Sequence, residues 1–245
     1  GHAPKDGTAF GIVFPGILVE PLTAEDKKFR FEPVKFAYLG SADSGIRMCV
    51  THKGSPIKTF ADALKTPSNM GGSTPGSSTT DYAQMLIKLA DAKFKIINGY
   101  RSSIDTVVAM ERNEIDGMCG LDISSLSAMR PDWVEKGQSN LILQASLKPS
   151  DKLLKMGIPS IWDYVTGDNR KAAEIVITQQ EFHRPFIAPP ETPADRHAIL
   201  RKAFADAMQD PELKADAAKI NLTIAWKDGE SVSALVKQVY ASPPE

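Results

Sequence analysis

Short apolar runs alternate with amphipathic stretches along most of this chain. Seven of the runs predict strands, at residues 8–13, 34–39, 46–51, 95–98, 115–119, 141–145 and 185–188. Helical patterns fall between many of these runs. Strands that alternate with helices are typical of α/β proteins, and we therefore expect an α/β fold with largely parallel sheets.

The C-terminal third carries clear signals for helix starts. Thr192, Pro193 and Asp195 supply a capping hydroxyl, a proline at the first helical position and a carboxylate three residues after the cap. Asp210 and Pro211 predict a second start of the same kind. Six apolar residues of the first helix recur at helical spacing and predict one buried face: Ile199, Leu200, Ala203, Phe204, Ala207 and Met208.

A run of glycines and hydroxyl residues, MGGSTPGSSTTDYAQML at residues 70–86, leads directly into an apolar helical pattern. The pattern predicts a helix that begins near Ser78 or Thr79, and Ser78 and Asp81 have capping-box spacing. The glycines allow a sharp turn that points backbone N–H groups outward, so the run is a candidate anion site. Taken alone, the run is better explained as a well-capped helix with a flexible lead-in. The candidate ligand-binding residues here are Ser73, Thr74, Gly76, Ser77 and Ser78.

The same arrangement of strand, polar loop and helix occurs twice more. Residues 99–103 follow the strand at 95–98, and residues 120–125 follow the strand at 115–119. Three such units in succession would place three polar loops along one edge of a sheet. Ligands bind at the carboxyl ends of strands in sheets of this type, which favours a site for a small anion.

Four residues of the second and third loops are further candidates. Arg101 could clamp a carboxylate, or pair with Asp105 four residues later on the same helix. Tyr100 could cover the apolar part of a ligand or simply pack, and Ser102 lies beside it. Asp122 could cap its helix or accept a hydrogen bond from a ligand hydroxyl or amine.

Two turn-rich loops near the N-terminus complete the candidate site. Phe14 and Pro15 follow the first predicted strand, and Ser41 and Asp43 follow the second. Turn chemistry alone also explains both loops. If the chain forms two lobes, these loops would face the other three across a cleft.

Composition narrows the class of partner. The chain has 245 residues, 42% of them hydrophobic and 24% charged, with a net charge of −1 and no basic stripe, which argues against nucleic acid. No apolar run approaches the ~20 residues needed for membrane insertion. The four histidines show no metal-ligand spacing, so we expect neither metal nor cofactor.

The two cysteines, Cys49 and Cys119, each lie in a short apolar run. We expect two inert thiols in the core. A disulfide between them stays open, because two isolated positions do not argue for one.

Two long stretches resemble one known family. They are INGYRSSIDTVVAMERNEIDGMCGLDISSL at residues 97–126 and the C-terminal stretch with APPETPADRHAILRKAFADAMQDPE at residues 188–212, and APKDGT at residues 3–8 matches as well. The chain resembles the solute-binding proteins of tripartite tricarboxylate transporters, the TctC or Bug family, over nearly its whole length. The family's glycine and serine loop corresponds to residues 72–78. Its Tyr-x-Gly-Ser loop corresponds to residues 100–103, where this chain has serine in place of the frequent glycine.

The resemblance implies a periplasmic binding protein of the two-lobed type II fold, with a ligand cleft between the lobes. We expect lobe one at residues 1–68 and 185–245 and lobe two at residues 69–184. Family members carry a further strand–helix–strand portion before the APxDGT segment. We therefore expect lobe one to be incomplete, with an exposed strand edge and apolar surface that pairing with another chain would relieve.

The resemblance also implies the function. Such proteins are exported to the periplasm, capture a small organic carboxylate and deliver it to the membrane permease subunits of the transporter. Two alternatives stay open. One is a module that senses a ligand and signals to a regulator. The other is a hydrolase or isomerase with Ser73, Ser77 or Ser124 as nucleophile or Asp122 as acid or base, although no histidine lies in the three loops.

Overall fold

A computed structural model describes residues 3–23, 29–220, 222 and 224–241. The chain divides into two compact units. Unit 1 consists of Gly1–Gly45 and Thr178–Glu245, and unit 2 consists of Ile46–Ile177. The first unit is therefore built from both ends of the chain, and the lobe boundaries at residues 68/69 and 184/185 stay a prediction.

The described residues form strands and helices in an alternating order. The strands are β1 (Gly11–Ile12), β2 (Ala37–Ser41), β3 (Arg47–His52), β4 (Ser68–Gly71), β5 (Phe94–Ile97), β6 (Gly117–Asp122), β7 (Ser139–Ala145), β8 (Pro185–Ala188) and β9 (Lys227–Asp228). The helices are α1 (Pro15–Thr23), α2 (Phe60–Ala63), α3 (Ser78–Ala90), α4 (Ser103–Glu111), α5 (Ile123–Met129), α6 (Pro131–Glu135), α7 (Asp151–Lys155), α8 (Gly167–Thr178), α9 (Ala194–Gln209), α10 (Pro211–Lys219) and α11 (Gly229–Ala241). Within the described ranges, no helix combines the length and apolar character that a bilayer crossing requires.

Unit 1 contains a four-stranded sheet in the order β1-β8-β2-β9, in which every neighbouring pair is antiparallel. Helix α11 packs against this sheet, with Val232 and Val236 buried beside Tyr38. Strand β1 forms one edge of the sheet. The side chains of Phe10, Ile12 and Phe14 near this edge are 59%, 53% and 72% exposed.

Unit 2 contains a five-stranded sheet in the order β5-β4-β6-β3-β7. Strands β5, β4 and β6 are parallel, whereas β3 runs antiparallel to both β6 and β7. The prediction of largely parallel sheets is therefore wrong for unit 1 and right only for one side of unit 2. Strands that are covered by helices on both faces read as apolar runs whichever way they point, so the pattern carried no information on direction.

Both faces of the unit 2 sheet are covered by buried apolar residues. One face packs under α3, with Tyr82, Met85 and Leu86 buried there as the sequence predicts. The other face packs under α4 and α5, with Val107 and Leu126 fully buried. The two layers fix the positions at which α3, α4 and α5 begin.

Cys49 on β3 and Cys119 on β6 form a disulfide between neighbouring strands of this sheet. The prediction of two inert core thiols is therefore wrong. The two residues lie 70 positions apart in sequence, and only the pairing of β3 with β6 brings them together.

The structure corrects one of the predicted helix starts and one predicted face. Asp210 caps α10 as predicted, because its carboxylate accepts hydrogen bonds from the backbone N–H groups of Glu212 and Leu213. Thr192 does not cap α9; its hydroxyl donates to the carbonyl of Pro189, and the helix begins at Ala194. Three members of the predicted buried face of α9 are exposed: Ile199, Ala203 and Ala207.

Candidate functional site

Three polar segments of unit 2 leave the sheet at the same edge, as predicted. We call residues 72–77 the first loop and residues 98–102 the second loop; the third segment is the direct passage from β6 into α5 at Asp122. Because β5, β4 and β6 are parallel neighbours, their carboxyl ends lie side by side. This edge is where open α/β sheets bind ligands.

Backbone hydrogen bonds join the first and second loops. The N–H of Gly72 donates to the carbonyl of Ile97 at 2.9 Å, and the N–H of Gly99 donates to the carbonyl of Ser73 at 3.1 Å. The N–H of Tyr100 donates to the carbonyl of Gly72 at 3.3 Å. The two loops therefore form one connected surface rather than two independent turns.

Helix α3 begins at Ser78, one of the two predicted positions, with Ser77 as its N-cap residue. The Ser77 side chain makes no capping hydrogen bond; its hydroxyl lies 3.2 Å from the hydroxyls of both Thr79 and Thr80. The predicted capping box between Ser78 and Asp81 is wrong, because Ser77 and not Ser78 is the N-cap residue. The Asp81 carboxylate instead accepts a hydrogen bond from the N–H of Gly76 at 3.0 Å. The helix start thus lacks a side-chain cap and is surrounded by hydroxyls, which suits an incoming anion.

Three residues that the sequence reasoning missed complete this hydroxyl network. Thr79 accepts a hydrogen bond from the N–H of Ser73 at 3.2 Å. Thr80 donates to the amide oxygen of Asn98 at 3.1 Å, which links α3 to the second loop. The consecutive hydroxyls in SSTT are the sequence signal that could have identified the two threonines.

The start of α3 lies directly against β6. Gly120 has φ +73°, and a Cβ at this position would lie 3.1 Å from the backbone nitrogen of Thr79 and closer still to the carbonyl oxygen of Ser78. Only glycine combines this backbone conformation with so close an approach. The first loop and the end of β6 are consequently held together.

Arg101 is exposed on the second loop. The alternative partner, Asp105, accepts hydrogen bonds from the hydroxyl of Ser102 at 2.9 Å, while its N–H donates to the same hydroxyl at 3.3 Å. Ser102 is thereby fixed as the N-cap of α4. Among the residues that the structure describes, none forms an ion pair with Arg101, so its guanidinium is available to an anion.

Tyr100 packs, half-buried, against the apolar layer under α4 and α5. Burial raises the pKa of its phenol, so the hydroxyl stays protonated at neutral pH and retains a hydrogen to donate. The packing interpretation is therefore confirmed, and contact with a ligand stays a prediction.

Asp122 caps α5, as one of its two interpretations predicted. Its Oδ1 accepts from the N–H of Ser124 at 2.9 Å, from the hydroxyl of Ser124 at 2.5 Å and from the N–H of Ser125 at 3.3 Å. The residue is 1% exposed. Its other oxygen, Oδ2, is buried and has no hydrogen-bond partner among the described residues.

The unit 1 candidates Ser41 and Asp43 form hydrogen bonds within unit 1. Ser41 is fully buried; its hydroxyl donates to the carbonyl of Asp43 at 2.8 Å and accepts from the N–H of Arg184 at 3.0 Å. The Asp43 carboxylate lies 3.3 Å from Nδ1 of His183, a buried residue that no spacing in the sequence singled out. These contacts fix one loop of unit 1 onto another, and a role in ligand binding stays a prediction for both Ser41 and Asp43.

The remaining unit 1 candidates are Phe14, whose side chain is largely exposed, and Pro15, which opens α1. Their predicted contact with a ligand is untested.

The candidate nucleophiles Ser73, Ser77 and Ser124 form hydrogen bonds with other hydroxyls, carboxylates or backbone groups, and none of these described bonds involves a histidine. The described hydrogen bonds therefore give none of these three serines a histidine partner.

Comparison with solved structures identifies the fold of this chain. No family model matches the sequence, and no curated protein does so either. Among solved structures, a ligand-free TctC solute-binding protein from Polaromonas is 15% identical, with a TM-score of 0.70 over 98% of this chain and 77% of that one. A Rhodopseudomonas palustris protein with adipate is 16% identical, with a TM-score of 0.67 over 98% of this chain and 77% of that one.

MatC from the same organism, with bound malate, is also 16% identical, with a TM-score of 0.68 over 98% of this chain and 79% of that one. Likeness at such low identity establishes the fold and leaves the ligand of this chain to be determined. This chain has the α/β binding-protein fold of the TctC solute-binding proteins, as the resemblance in its sequence implied.

Proposed function

We propose that this protein is a solute-binding protein that captures a small organic carboxylate. The observation that carries the proposal is the start of α3, which has no side-chain cap and lies among hydroxyls at the edge where three parallel strands end. Backbone N–H groups at a helix start bind a carboxylate without a counter-charge. Structures of the same fold that hold adipate and malate support this class of ligand.

In this proposal the N–H groups of Ser78 and Thr79 hold the carboxylate. Hydroxyls of the first loop, on Ser73, Thr74 and Ser77, donate further hydrogen bonds. A second-loop guanidinium, that of Arg101, supplies a charged donor for the same group or for a second carboxylate of the ligand. The predicted cleft between two lobes, which would enclose the ligand, is a separate expectation.

The proposed location is the periplasm, where the protein would deliver its ligand to the permease subunits of a tripartite tricarboxylate-type transporter. The disulfide between Cys49 and Cys119 supports an oxidising compartment, because such bonds are rare in the reducing cytosol. This support is independent of the resemblance in sequence. The permease itself is implied by the resemblance alone.

Calorimetric titration of the full chain with a panel of mono-, di- and tricarboxylates tests the proposal. We expect saturable binding of at least one carboxylate. The matched control is the primary amide of that ligand, which keeps its shape and loses the charge, and we expect it to bind at least about tenfold more weakly. If the folded protein bound no member of the panel, or bound acid and amide equally well, the proposed function would be wrong.

A further inference from the structure

Asp122 lies on the same face of the unit 2 sheet as α3. Its neighbour Leu121 is buried in the apolar layer under α4 and α5. The pairing of β6 with β3 is regular at this point, where Met48 pairs with Leu121 and Arg47 with Asp122. Successive residues of a regular strand point to opposite faces, so the Asp122 side chain leaves the sheet on the α3 side.

Asp122 also lies close to the start of α3 along the strand. Gly120, two residues earlier, is the point at which β6 contacts the backbone of Ser78 and Thr79. Two residues of a strand span about 7 Å. Asp122 therefore lies within reach of a small ligand that is held at the start of α3.

Only one of the two oxygens of the Asp122 carboxylate accepts hydrogen bonds from described residues. Oδ1 accepts three hydrogen bonds from Ser124 and Ser125, whereas Oδ2 is buried without a partner. A buried carboxylate oxygen without a donor is costly, so such an atom in a native protein calls for a partner that arrives with water or with a ligand. Its position beside the proposed carboxylate site favours the ligand.

We propose that the ligand carries a hydrogen-bond donor, a hydroxyl or an ammonium group, which Asp122 Oδ2 accepts while the α3 start holds the carboxylate. This inference rests on the proposed function and narrows its ligand class to hydroxy acids and amino acids. An acid without a donor would leave Oδ2 unpaired.

Matched sets of three acids that differ only at the α-carbon test the inference. Succinate, malate and aspartate carry hydrogen, hydroxyl and ammonium there; glutarate, 2-hydroxyglutarate and glutamate do the same on a longer chain, and propionate, lactate and alanine on a shorter one. In the set that fits the site best, we expect the hydroxy acid or the amino acid to bind at least about tenfold more tightly than the unsubstituted acid. Equal affinities in the wild-type protein would overturn the inference and leave the proposed function intact.

Asp122→Asn adds a second test, because an asparagine can still cap α5 through its amide oxygen but presents an NH2 group where Oδ2 was. An ammonium group cannot accept a hydrogen bond from this NH2 group, whereas a hydroxyl can, so we expect Asp122→Asn to lower the affinity for the amino acid relative to the hydroxy acid at least about tenfold. Ser124→Ala is the control: it removes a hydroxyl that bonds Oδ1 and leaves Oδ2 unchanged, so the ratio of the two affinities should persist. An unchanged ratio of the affinities for the amino acid and the hydroxy acid in Asp122→Asn would contradict the inference, and failure of every acid to bind the wild type would overturn it together with the proposed function.

Discussion

Gly120 of β6 and Ser78 of α3 are in backbone contact, with no room for a side chain between them. This contact holds the start of α3 at the carboxyl end of β6. Gly120→Ala would add a Cβ that collides with the Ser78 carbonyl, at a backbone φ of +73°. We expect a loss of about 3 kcal/mol or more in the free energy of unfolding, measured by urea denaturation.

Gly157→Ala is the matched control for this substitution. Gly157 has φ +78°, close to that of Gly120, but nothing lies within 4 Å of its Cβ position. The control should therefore lose only the backbone term, about 1–2 kcal/mol. Equal losses of unfolding free energy in both variants would show that a Cβ at residue 120 meets no obstacle, which would contradict the close contact between α3 and β6.

The disulfide should be a large contributor to the stability of unit 2. It closes a loop between residues separated by 70 positions in sequence, and loop-closure entropy for that length corresponds to about 4 kcal/mol. We expect Cys49→Ala/Cys119→Ala to unfold at lower denaturant concentration than the wild type. Reductant should lower the midpoint of the wild type and leave that of the double variant unchanged; a reductant effect on the double variant would point to a different cause.

Arg101 should contribute to ligand affinity and little to stability, because its side chain is exposed and has no described ion pair. We expect Arg101→Ala to weaken the best-binding carboxylate by about 10- to 100-fold in calorimetry. Arg112→Ala, at the other end of α4, is the control and should leave the affinity unchanged. Arg112 is exposed, and its Nη1 lies 3.8 Å from Oε1 of Glu114. Unchanged affinity in Arg101→Ala would exclude the clamp while leaving the amide site in place.

The ion pair between Glu111 and Arg130 predicts a small pH-dependent term in stability. Two hydrogen bonds from the Arg130 guanidinium, at 2.6 and 2.9 Å, lower the pKa of Glu111 below its ordinary value of 4.5. A lowered pKa in the folded state stabilises the protein above the unfolded-state pKa, and this stabilisation is lost as the pH falls through the folded-state value. Because both side chains are about a third exposed, the contribution at neutral pH should be at most about 1 kcal/mol.

Denaturation of Glu111→Gln and the wild type at neutral and at acidic pH measures this term. The two proteins should differ at neutral pH and converge in acid. Glu114→Gln, whose partner is more distant, is the control and should differ less from the wild type. A difference that grows in acid would contradict the assignment of the lowered pKa.

Local patterns in the sequence predicted the parts of the fold that depend on near neighbours. The stripe of Tyr82, Met85 and Leu86 located α3 and its buried face, and Asp210 with Pro211 located the start of α10. The recurrence of strand, polar loop and helix also predicted that three loops share one edge. For the two helices, the residues that determine the structure lie within a few positions of one another.

Features that depend on residues far apart in the sequence could not be predicted from such local patterns. Strand β4, with the sequence SNMG, has no apolar run to mark it and is defined by its parallel neighbours β5 and β6. The direction of β3 and the bond between Cys49 and Cys119 both follow from long-range strand pairing. The unpaired oxygen of Asp122 is visible only once the cap of α5 has occupied the other oxygen.

The central claim is that backbone amides at the start of α3 hold the ligand carboxylate. Titration of isotope-labelled protein with the tightest-binding carboxylate, followed through amide proton and nitrogen resonances, tests it most directly. We predict that the amides of residues 72–74 and 76–79 shift most, led by Ser78 and Thr79, and saturate at the affinity found by calorimetry. Saturable binding that leaves these amides unmoved while resonances elsewhere shift would contradict the account.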